Sequence, residues 1–461
     1  MPPTDPRIFL YSRPVRALLL LAGRSRRFWP LAEKSLFPIC GKTLAQHQVE
    51  TLREGGCKDI TLVAGAHNKK ELRKLFPGFA IVEQKNLALG MQGACMSALP
   101  KIKHGPVLIV SGNDVIEPSA FEMLRKEAAK PKVDGAILAR KVKKYFPGGY
   151  LTVKAGRIVS IIEKPSIDRV GATHTPPKLV NIVAHIHNDP AALLTALKKV
   201  RNGRDDGYEQ ALHALFVERT YRAVPYEGFW QPVKYPWHLL PLLEYFLSGI
   251  AKPAIHRSAK IHPTAIVEGN VIIGEDTRIL PHAVIRGPCV IGRSCVIGNN
   301  ALVRGSSIGD GCVIGYNTEV KGSVLAGSVW THMTYLGDSV IGRNVSFGGG
   351  FTTGNLRLDE EEISSGIGSP VEARRDMPQQ PTGLAKLGLI AGDDCRFGIQ
   401  VATNPGVKVG AGSFVATCAV LDSDIPEKSF ATMKGGVATV RPNRVAAPSM
   451  ESRMNYRAAL T

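Results

Sequence analysis

Five residues in the second half of the chain combine a titratable ring, two cations and two neutral polar groups. They are His332, Arg304, Lys321, Tyr335 and Asn355. A histidine titrates near neutral pH, so its ring can remove the proton that keeps an amine from acting as a nucleophile. An arginine neutralises a phosphate with a planar fork, and a lysine does so as a point charge. The five residues suit acyl transfer to a phosphorylated amine, provided that the fold gathers them.

Aliphatic residues recur in the same region at intervals of six, a spacing that no helix or ordinary sheet requires. A triangular parallel β-solenoid requires it, because each flat side takes about six residues and points one aliphatic side chain inward. The series runs through Ile255, Ile261, Val267, Ile273, Ile279, Ile285, Ile291, Ile297 and Val303, resumes one residue out of phase at Ile308, Ile314 and Val320, and returns at Val409, Val415 and Leu421. This period predicts a β-solenoid.

Glycine often follows an inward position of this series. Examples are Ile273-Gly274, Ile291-Gly292, Ile297-Gly298 and Ile314-Gly315. Because glycine tolerates a positive φ angle, we expect these glycines to adopt such angles at the corners of the solenoid.

Length and composition favour a protein of two or three domains with substantial cores, since the chain has 461 residues and 44% hydrophobic content. No apolar run approaches the ~20 residues that cross a bilayer. We therefore expect no membrane segment and no secretory signal. The eight cysteines are scattered without a Cys-x-x-Cys pair. They are expected to be buried reduced thiols, as in a cytoplasmic protein.

The formal net charge of +19 raises the question of nucleic-acid binding. The basic residues are spread along the chain and do not form a stripe interleaved with aromatic residues. Anionic small substrates such as phosphates and nucleotides account for a positive field equally well. Small-molecule partners are expected, and nucleic acid is not.

Apolar strands alternate with helical segments in the first 250 residues. The predicted elements are strands at Ala17–Ala22, Asp59–Ala64, Phe79–Val82 and Pro106–Val110 and helices at Thr43–Glu54, Lys70–Phe76 and Ala94–Leu99. Such alternation favours a Rossmann-like α/β domain with a mixed, mainly parallel sheet, whose ligands bind beyond the carboxyl ends of its strands.

The first predicted strand runs into a glycine that basic residues follow. Backbone amides in a tight turn after a strand can cradle phosphate, and Arg27 and Lys34 would add positive charge there. Taken alone, a solvated loop explains this composition equally well.

The order of motifs resembles that of the sugar nucleotidylyltransferases over about residues 16–245. In that family a strand leads into A-G-x-G-T-R and then into a lysine, and Ala22, Gly23, Arg27 and Lys34 fall into this register. The resemblance implies that Ala22 and Gly23 contact the nucleotide and that Arg27 and Lys34 hold its phosphates. It further implies base contacts by Gln84 and Gly90, Mg²⁺ binding by Asp114, and sugar-phosphate contacts by Glu163, Lys164 and Asn181.

The chain departs from that family at four positions. Ser25 replaces the second loop glycine, Arg26 the threonine after it, and Met91 a later threonine. Pro232 stands where the family supplies a second metal ligand, and proline has no side-chain donor. These departures leave open whether the first domain has catalytic activity.

The segment Trp330–Gly342 closely resembles the H-x-T-Y-L-G-D-x-x-I-G segment of the bifunctional sugar-1-phosphate nucleotidylyltransferase/acetyltransferases. The resemblance spans about residues 255–440 and implies a left-handed parallel β-helix of hexapeptide repeats. It implies that His332 is the general base, that Arg304, Lys321 and Tyr335 bind the sugar phosphate, and that Asn355 holds the sugar or the acetyl group. Ser346 replaces a common asparagine and would contact the substrate with a shorter reach.

The two resemblances together imply an order of domains and a reaction. The domains are an N-terminal extension (1–15), a nucleotidyltransferase-like domain (16–248), a linker (249–254), an acyltransferase-like β-helix (255–440) and a tail (441–461). A cytoplasmic homotrimer would acetylate a hexosamine-1-phosphate from acetyl-CoA and couple the product to UTP with Mg²⁺, releasing pyrophosphate.

Two alternatives remain open. One is an acetyltransferase whose first domain only binds a nucleotide or a sugar phosphate. The other is a non-catalytic scaffold that resembles the translation exchange-factor subunits. Ser25 and the positive charge fit the scaffold. Arguing against it are the intact residues His332, Lys321, Arg304 and Asn355.

Overall fold

The computed structural model describes residues 15–102, 105–143, 145–165, 179–201, 206–370, 378–434, 437–444, 446–447, 449–451 and 454. The described residues of Met1–Arg24 and Ala45–Pro232 form one compact unit, and those of Ser25–Leu44 and Val233–Thr461 form a second. The domain boundaries expected from the sequence stay a prediction.

The first unit is built on a mixed sheet. In chain order the strands up to Pro232 are β1 (Arg16–Leu20), β2 (Pro38–Ile39), β3 (Lys42–Thr43), β4 (Asp59–Ala64), β5 (Ala80–Glu83), β6 (Val107–Ser111), β7 (Asp114–Ile116), β8 (Gly135–Lys141), β9 (Gly149–Lys154), β10 (Arg157–Glu163), β11 (Leu179–His187), β12 (Tyr221–Pro225) and β13 (Trp230–Pro232). Of these, β2 and β3 belong to the second unit. Nine of them form one sheet in the order β5-β4-β1-β6-β11-β8-β12-β10-β9.

Seven α-helices are described. They are α1 (Leu44–Glu54), α2 (Lys69–Leu75), α3 (Gly90–Ala98), α4 (Pro118–Ala128), α5 (Pro190–Lys199), α6 (Gly207–Glu218) and α7 (Leu239–Ser248). None of the described helices has the length and apolarity that a membrane span requires. All seven strands and helices predicted before residue 111 are confirmed, with ends displaced by at most four residues.

Helices cover both faces of the nine-stranded sheet because its strands are apolar on both sides. Leu18, Ile109 and Ile137 lie in one core cluster with residues of α3, α5 and α6. Side chains alternate along a strand, so the fully buried Leu19 and Leu138 face the opposite side, where α4 packs against β8.

The loops that follow the parallel strands lie at one edge of this sheet. The strands β5, β4, β1 and β6 are parallel, so their carboxyl ends lie at the same edge. Strand β11 runs antiparallel to β6 and therefore begins at that edge. The fold thus supplies the binding edge that the α/β pattern predicts.

The second unit contains a parallel β-helix with three faces. Its strands are β14 (Ala254–Ile255), β15 (Lys260–Ile261), β16 (Ile266–Glu268), β17 (Val271–Ile273), β18 (Arg278–Ile279), β19 (Val284–Arg286), β20 (Cys289–Ile291), β21 (Val296–Ile297), β22 (Leu302–Arg304), β23 (Ser307–Ile308), β24 (Val313–Ile314), β25 (Glu319–Lys321), β26 (Val324–Gly327), β27 (Trp330–Thr331), β28 (Tyr335–Gly337), β29 (Val340–Arg343), β30 (Ser346–Phe347), β31 (Thr352–Thr353), β34 (Ile390–Ala391), β35 (Arg396–Phe397), β36 (Ala402–Thr403), β37 (Lys408–Val409), β38 (Phe414–Val415), β39 (Val420–Leu421), β40 (Ser429–Lys434) and β41 (Val437–Pro442), with β32 (Ser364–Gly366) and β33 (Gln379–Pro381) forming a separate hairpin.

The three faces are continuous ladders. The first face runs from β14 through β17, β20, β23, β26, β29 and β34 to β37. The second runs from β15 through β18, β21, β24, β27, β30, β35 and β38 to β40, which pairs with β41. The third runs from β16 through β19, β22, β25, β28, β31 and β36 to β39.

The six-residue series forms the core of the β-helix, which confirms the predicted solenoid. From Ile273 onward every member is at most 3% exposed, and all belong to one hydrophobic cluster. Ile255, in the first coil, is 48% exposed.

The prediction that these corner glycines adopt positive φ angles is wrong. The backbone angles of Gly274, Gly298 and their equivalents are not in the positive-φ region; the positive angle falls two residues later, for example on Asn300 at 57°. A Cβ on Gly274 would lie 2.6 Å from the carbonyl carbon of Gly292 in the next coil. Glycine is therefore required by the close approach of successive coils.

The outer side of the first face is apolar and covered. Val290, Val324 and Val340 are at most 4% exposed there, because α7 and the β2–β3 segment pack on this face. The backbone amide of Cys40 donates to the Ser307 hydroxyl at 2.8 Å. The Ser25–Leu44 segment is thus part of the same compact unit as the β-helix.

An excursion from the β-helix lies between β31 and β34. Its strands β32 and β33 pair antiparallel, with Ser364 opposite Pro381. This hairpin therefore replaces an ordinary corner between two coils.

Candidate active sites

His332 lies at a corner that is one residue shorter than its equivalents. The inward residues Thr331 and Leu336 are five positions apart, whereas Ile297 and Val303 at the same corner of an earlier coil are six apart. The short corner leaves the His332 side chain exposed between the second and third faces.

Backbone contacts hold this corner in one conformation. The amide of His332 donates to the Thr334 hydroxyl at 3.2 Å, and that hydroxyl donates to the His332 carbonyl oxygen at 3.0 Å. A Cβ on Gly349 of the next coil would lie 3.6 Å from His332 Cδ2. Among the described residues, no side chain makes a hydrogen bond to the His332 ring. The ring nitrogens can therefore meet a substrate proton.

A polar cluster occupies the third face beside this corner. Lys321 Nζ lies 2.9 Å from Asp338 Oδ2, and the Asn355 side-chain amide donates to the same oxygen at 2.5 Å. That amide also lies 3.3 Å from the Tyr335 hydroxyl. A Cβ on Gly337 would lie 2.5 Å from the Tyr335 hydroxyl, so the cluster requires glycine there. We call these four polar residues the Lys321 cluster.

The ladder register extends the Lys321 cluster along the third face. Arg304 pairs with Lys321 on the next rung, and Arg286 pairs with Arg304 on the rung before. Arg304 Nη2 lies 2.6 Å from the Glu319 carboxylate. Arg286 lies 3.5 Å from the Glu268 carboxylate, so all three cations are paired with an acid. A phosphate that bound there would compete with these carboxylates.

Ser346 lies on a different face from the Lys321 cluster. It pairs with Trp330 in the second face, two residues before His332. No described hydrogen bond joins Ser346 or His332 to the Lys321 cluster. The structure thus links Lys321 to Asn355 through Asp338, and Asn355 to Tyr335, and leaves Ser346 outside that cluster.

Sequence reasoning missed Asp338 and Arg286. Asp338 stands inside the T-Y-L-G-D motif itself, and its link to Lys321 follows from the register of the two strands. Arg286 lies 18 residues before Arg304, which is one full coil of the repeat. Both signals were present in the sequence.

In the first unit, Asp114 begins β7 beyond the carboxyl end of β6. Its carboxylate accepts a hydrogen bond from the Trp230 indole at 2.7 Å, and its carbonyl oxygen accepts one from the Gln48 amide at 2.9 Å. Pro232 pairs directly opposite Asp114. The neighbouring strand therefore provides no second carboxylate at this point.

The residues with a predicted sugar-phosphate role meet on neighbouring strands. Glu163 pairs with Gly149, and Val180, next to Asn181, pairs with Tyr150. A Cβ on Gly149 would lie 3.3 Å from the Glu163 carboxylate. Asn181 is only 6% exposed.

Lys164 is oriented by its neighbour in the chain. Its ammonium lies 3.1 Å from the Glu163 carboxylate, and its side chain is 51% exposed. Its φ angle of 41° is unusual for a residue with a side chain. Glu163, Lys164 and Asn181 therefore all lie at the predicted edge of the sheet.

Gln84 braces the loop that the sequence associates with a base. Its side-chain amide donates to the carbonyl oxygens of Asn86 and Gly90 at 2.9 and 2.8 Å. Both amide hydrogens are therefore used within the loop, and only the side-chain oxygen can meet a ligand. Ala22 and Gly23 follow β1, and a Cβ on Gly23 would have nothing within 4 Å. Space for a close ligand thus exists at Gly23.

Arg27 and Lys34 belong to the second unit. The ammonium of Lys34 donates to the Val233 carbonyl oxygen at 2.9 Å, and the side chain is only 9% exposed. Arg27 is exposed within a turn of 3-10 helix, Arg26–Phe28. Lys34 thus has a structural contact in addition to any phosphate that it binds.

The Arg27 segment is fastened to the β-helix at Trp29. The indole of Trp29 donates to the Glu427 carboxylate at 2.9 Å, and Lys408 Nζ lies 4.8 Å from the centre of the indole ring. Lys408 is 1% exposed and lies 3.2 Å from the Asp424 carboxylate. Burial lowers the pKa of Lys408 and raises the pKa of Asp424.

Within the part of the chain that the structure describes, neither a metal cluster nor a disulfide is found. Among the described residues, no group of three or more His, Cys, Asp or Glu side chains could hold a metal ion. All eight cysteines are described and free. Six are buried, as the sequence predicts, whereas Cys40 is half-buried and Cys418 is exposed.

Family models match both halves of the chain. The MobA-like NTP transferase domain matches residues 17–260, and the GMPPB C-terminal domain matches residues 250–357. A protein of Sulfurisphaera tokodaii, the bifunctional sugar-1-phosphate nucleotidylyltransferase/acetyltransferase, is 30% identical over 90% of this chain and 99% of its own length. The chain belongs to this bifunctional family.

Other relatives carry the name bifunctional protein GlmU. The protein of Methanococcus maripaludis strain C7 is 33% identical over 91% of this chain and 97% of its own length, and that of Methanococcus vannielii is 30% identical over the same shares. This family member is a transferase. The crystal structure of apo UDP-glucose pyrophosphorylase is 18% identical and covers 51% of this chain and 98% of its own length, with a TM-score of 0.43. The structure of UDP-glucose pyrophosphorylase complexed with UDP-glucose is also 18% identical and covers 51% of this chain and 99% of its own length, with a TM-score of 0.44.

Proposed function

We propose that the β-helix transfers the acetyl group of acetyl-CoA to the amine of a hexosamine-1-phosphate. The observation that carries this proposal is the Lys321 cluster, whose Tyr335 lies on the strand that follows the exposed His332 corner. The His332 ring accepts a proton from the amine, the amine nitrogen forms a bond to the acetyl carbonyl carbon, and the bond to sulfur breaks. The CoA thiolate then takes the proton that His332 holds.

The other residues of the cluster position the substrate. Lys321 has two hydrogens besides the one directed at Asp338, and these can bind the phosphate. Asn355, held by Asp338, and Tyr335 orient the sugar. Arg304 joins the phosphate after exchanging one contact with Glu319. A homotrimer with acetyl-CoA between neighbouring β-helices, in the cytoplasm, is part of the proposal.

A test reads CoA release from acetyl-CoA with glucosamine-1-phosphate and with galactosamine-1-phosphate. His332→Ala should lower kcat by roughly 100- to 10,000-fold. His262→Ala is the matched control, because His262 follows an inward residue at the same corner four coils earlier. Equal activity of His332→Ala and wild type, or no CoA release with either sugar, would contradict the proposal.

We propose further that the first unit couples the acetylated sugar phosphate to UTP and releases pyrophosphate. A sugar-phosphate oxygen attacks the α-phosphorus, and pyrophosphate leaves, so that positioning and charge neutralisation do most of the work. Asp114 would be the protein carboxylate that holds a Mg²⁺ ion bound to the nucleotide, and the ion would neutralise charge on the phosphates. Glu163, Lys164 and Asn181 bind the sugar phosphate, and Gln84 and Gly90 contact the base.

A second candidate is an acetyltransferase whose first unit binds these ligands without reaction. It is favoured by Pro232 opposite Asp114 and by the Trp230 indole on the Asp114 carboxylate. Pyrophosphate release from each common nucleoside triphosphate in the presence of N-acetylglucosamine-1-phosphate separates the two candidates. Release with one of them supports the coupling reaction, and silence with all of them supports the second candidate.

A further inference from the structure

The first unit contains a buried chain of hydrogen-bonded rings that ends at Asn181. Tyr221 contacts His187 at 2.8 Å, and His187 contacts Tyr208 at 3.2 Å. Tyr208 contacts His185 at 2.9 Å, and His185 contacts Asn181 Oδ1 at 2.6 Å. The two histidines are 0% exposed and the two tyrosines at most 2%. Such a chain is unusual in a core that is otherwise apolar.

Local structure is arranged to hold this chain. The pairing of β11 with β8 is irregular between Asn181 and His185, and this bulge lets the Asn181 side chain reach the His185 ring. Gly135 faces Tyr221, and a Cβ there would lie 2.3 Å from the tyrosine ring. The bulge and the glycine both make room for polar rings.

Both histidines are neutral at working pH. Burial lowers the pKa of His187 to about 3 and holds the pKa of His185 well below its ordinary value. A neutral imidazole donates through one nitrogen and accepts through the other. Every link of the chain therefore has a donor side and an acceptor side.

Only one direction gives each proton of the chain an acceptor within it. If Tyr221 donates to His187 Nδ1, then His187 Nε2 donates to Tyr208, Tyr208 donates to His185 Nδ1, and His185 Nε2 donates to Asn181 Oδ1. In the opposite direction the buried Tyr221 hydroxyl would accept from His187. No other hydrogen bond of that hydroxyl is found among the described residues. Its own proton would then be unsatisfied, which costs about 1–3 kcal/mol.

We propose that Tyr221, His187, Tyr208 and His185 are positioning residues that fix the side-chain amide of Asn181 with its NH₂ group directed at the substrate. The Asn181 nitrogen has no hydrogen bond among the described residues, so both of its hydrogens can serve a ligand. The inference rests on the proposed role of Asn181 in binding the sugar phosphate. It adds that the bound group must accept hydrogen bonds, as a hydroxyl, carbonyl or phosphoryl oxygen does. A free ammonium group cannot accept, so an unacetylated amino group is disfavoured there.

The direction of the chain can be read without any enzymatic assay. NMR of the full-length protein labelled with ¹⁵N-histidine reports which ring nitrogen of each histidine carries the proton. Variants that each replace one histidine assign the signals. We expect the proton on Nε2 in both His185 and His187. A proton on Nδ1 of His185 would overturn the inference.

Binding of N-acetylglucosamine-1-phosphate, measured by calorimetry, tests the consequence for the substrate. In His185→Leu the dissociation constant should rise about tenfold, because one orienting hydrogen bond is lost. In His185→Gln the new amide can still donate to Asn181, so affinity should recover to within about threefold of wild type. Leu212→Ala is the control, because Leu212 lies in the same core cluster on α6 and outside the chain.

The results separate the inference from the proposed function. If Leu212→Ala weakens binding as much as His185→Leu does, or if His185→Gln fails to restore it, the positioning role is wrong. If wild-type protein binds neither this sugar phosphate nor glucose-1-phosphate, the proposed function of the first unit fails. The proton positions on the two rings then still decide the direction of the chain.

Discussion

The β-helix and the first unit present their candidate sites in different ways. In the β-helix, Arg304 and Lys321 come together because they occupy the same place on successive rungs of one face. In the first unit, Gly23, Gln84 and Asn181 come from separate loops and strands. A repeat converts spacing in the sequence into proximity, whereas a site assembled from loops depends on the path of the whole chain.

The two regions also differ in how they use charge. The cations of the third face are paired with acids, as Arg304 is with Glu319 and Lys321 with Asp338. Asp114 in the first unit meets an indole N–H and lies opposite a proline. The first arrangement positions cations for an anion. The second offers the Asp114 carboxylate without a second carboxylate on the strand opposite.

The strongest test of this comparison is Asp338→Ala. The variant removes the carboxylate that holds both Lys321 and Asn355. Loss of hydrogen bonds to a charged group, at about 1.5–3 kcal/mol each, should lower kcat/KM for acetyl transfer roughly 100-fold. Pyrophosphate release should stay unchanged. Asp310→Ala is the control, because Asp310 pairs with Arg293 elsewhere on the β-helix.

The second prediction is a gain of activity in the first unit. Pro232→Asp places a carboxylate opposite Asp114, and we expect pyrophosphate release to rise about tenfold at low Mg²⁺, since a second carboxylate strengthens binding of the ion. In Gln231→Asp the carboxylate points to the other face of the strand, and no gain is expected. An equal response of the two variants would show that position 232 is not special.

The buried histidines predict a dependence of stability on pH. His187 has a pKa of about 3 in the folded unit, below the value of about 6.5 in an unfolded chain. Below pH 6.5 the unfolded state binds more protons, so stability falls as pH falls, by about 1.4 kcal/mol per pH unit for each such histidine. Denaturant unfolding between pH 7 and 5 measures this slope.

The matched variant is His187→Phe, which removes one titrating group. Its slope should be smaller than that of wild type by the contribution of one histidine. Identical slopes would mean that His187 is not buried in neutral form.

The smallest expected effect concerns the attachment of Trp29. Trp29→Phe keeps a ring beside Lys408 but removes the hydrogen bond to Glu427. The loss of about 1 kcal/mol should lower the melting temperature by about 2–4 °C. Glu427→Gln keeps an acceptor oxygen and should melt close to wild type. A drop of equal size in both variants would point to the charge of Glu427 and not to the hydrogen bond.

The sequence allowed the solenoid to be predicted almost completely, because one inward residue in six is a strong and regular signal. It also predicted seven strands and helices before residue 111, but none of the elements between Asp114 and Pro225. The glycine corners were explained wrongly, because close approach between coils cannot be seen in a single coil. The contact between Asp338 and Lys321 was missed because this coil is shorter than the usual 18 residues. Lys321 pairs with Gly337, only 16 positions later.

The least predictable features are long-range contacts. Nothing in the local sequence indicates that Trp29 contacts Lys408 or that Tyr208 joins His185 and His187. Such contacts depend on side chains that are hundreds or tens of positions apart. They follow only when the three-dimensional path of the chain is known.

The covered outer side of the first face has a practical consequence for dissecting this enzyme. A fragment that starts at Val233 would keep α7 but lose the Ser25–Leu44 segment, which normally shields part of that valine-rich surface. The part of this surface that becomes exposed would favour self-association and precipitation during expression. Stoichiometry or acetyl-transfer rates measured on the truncated piece would then describe an artefact of trimming, and point substitutions in the intact polypeptide are the safer route.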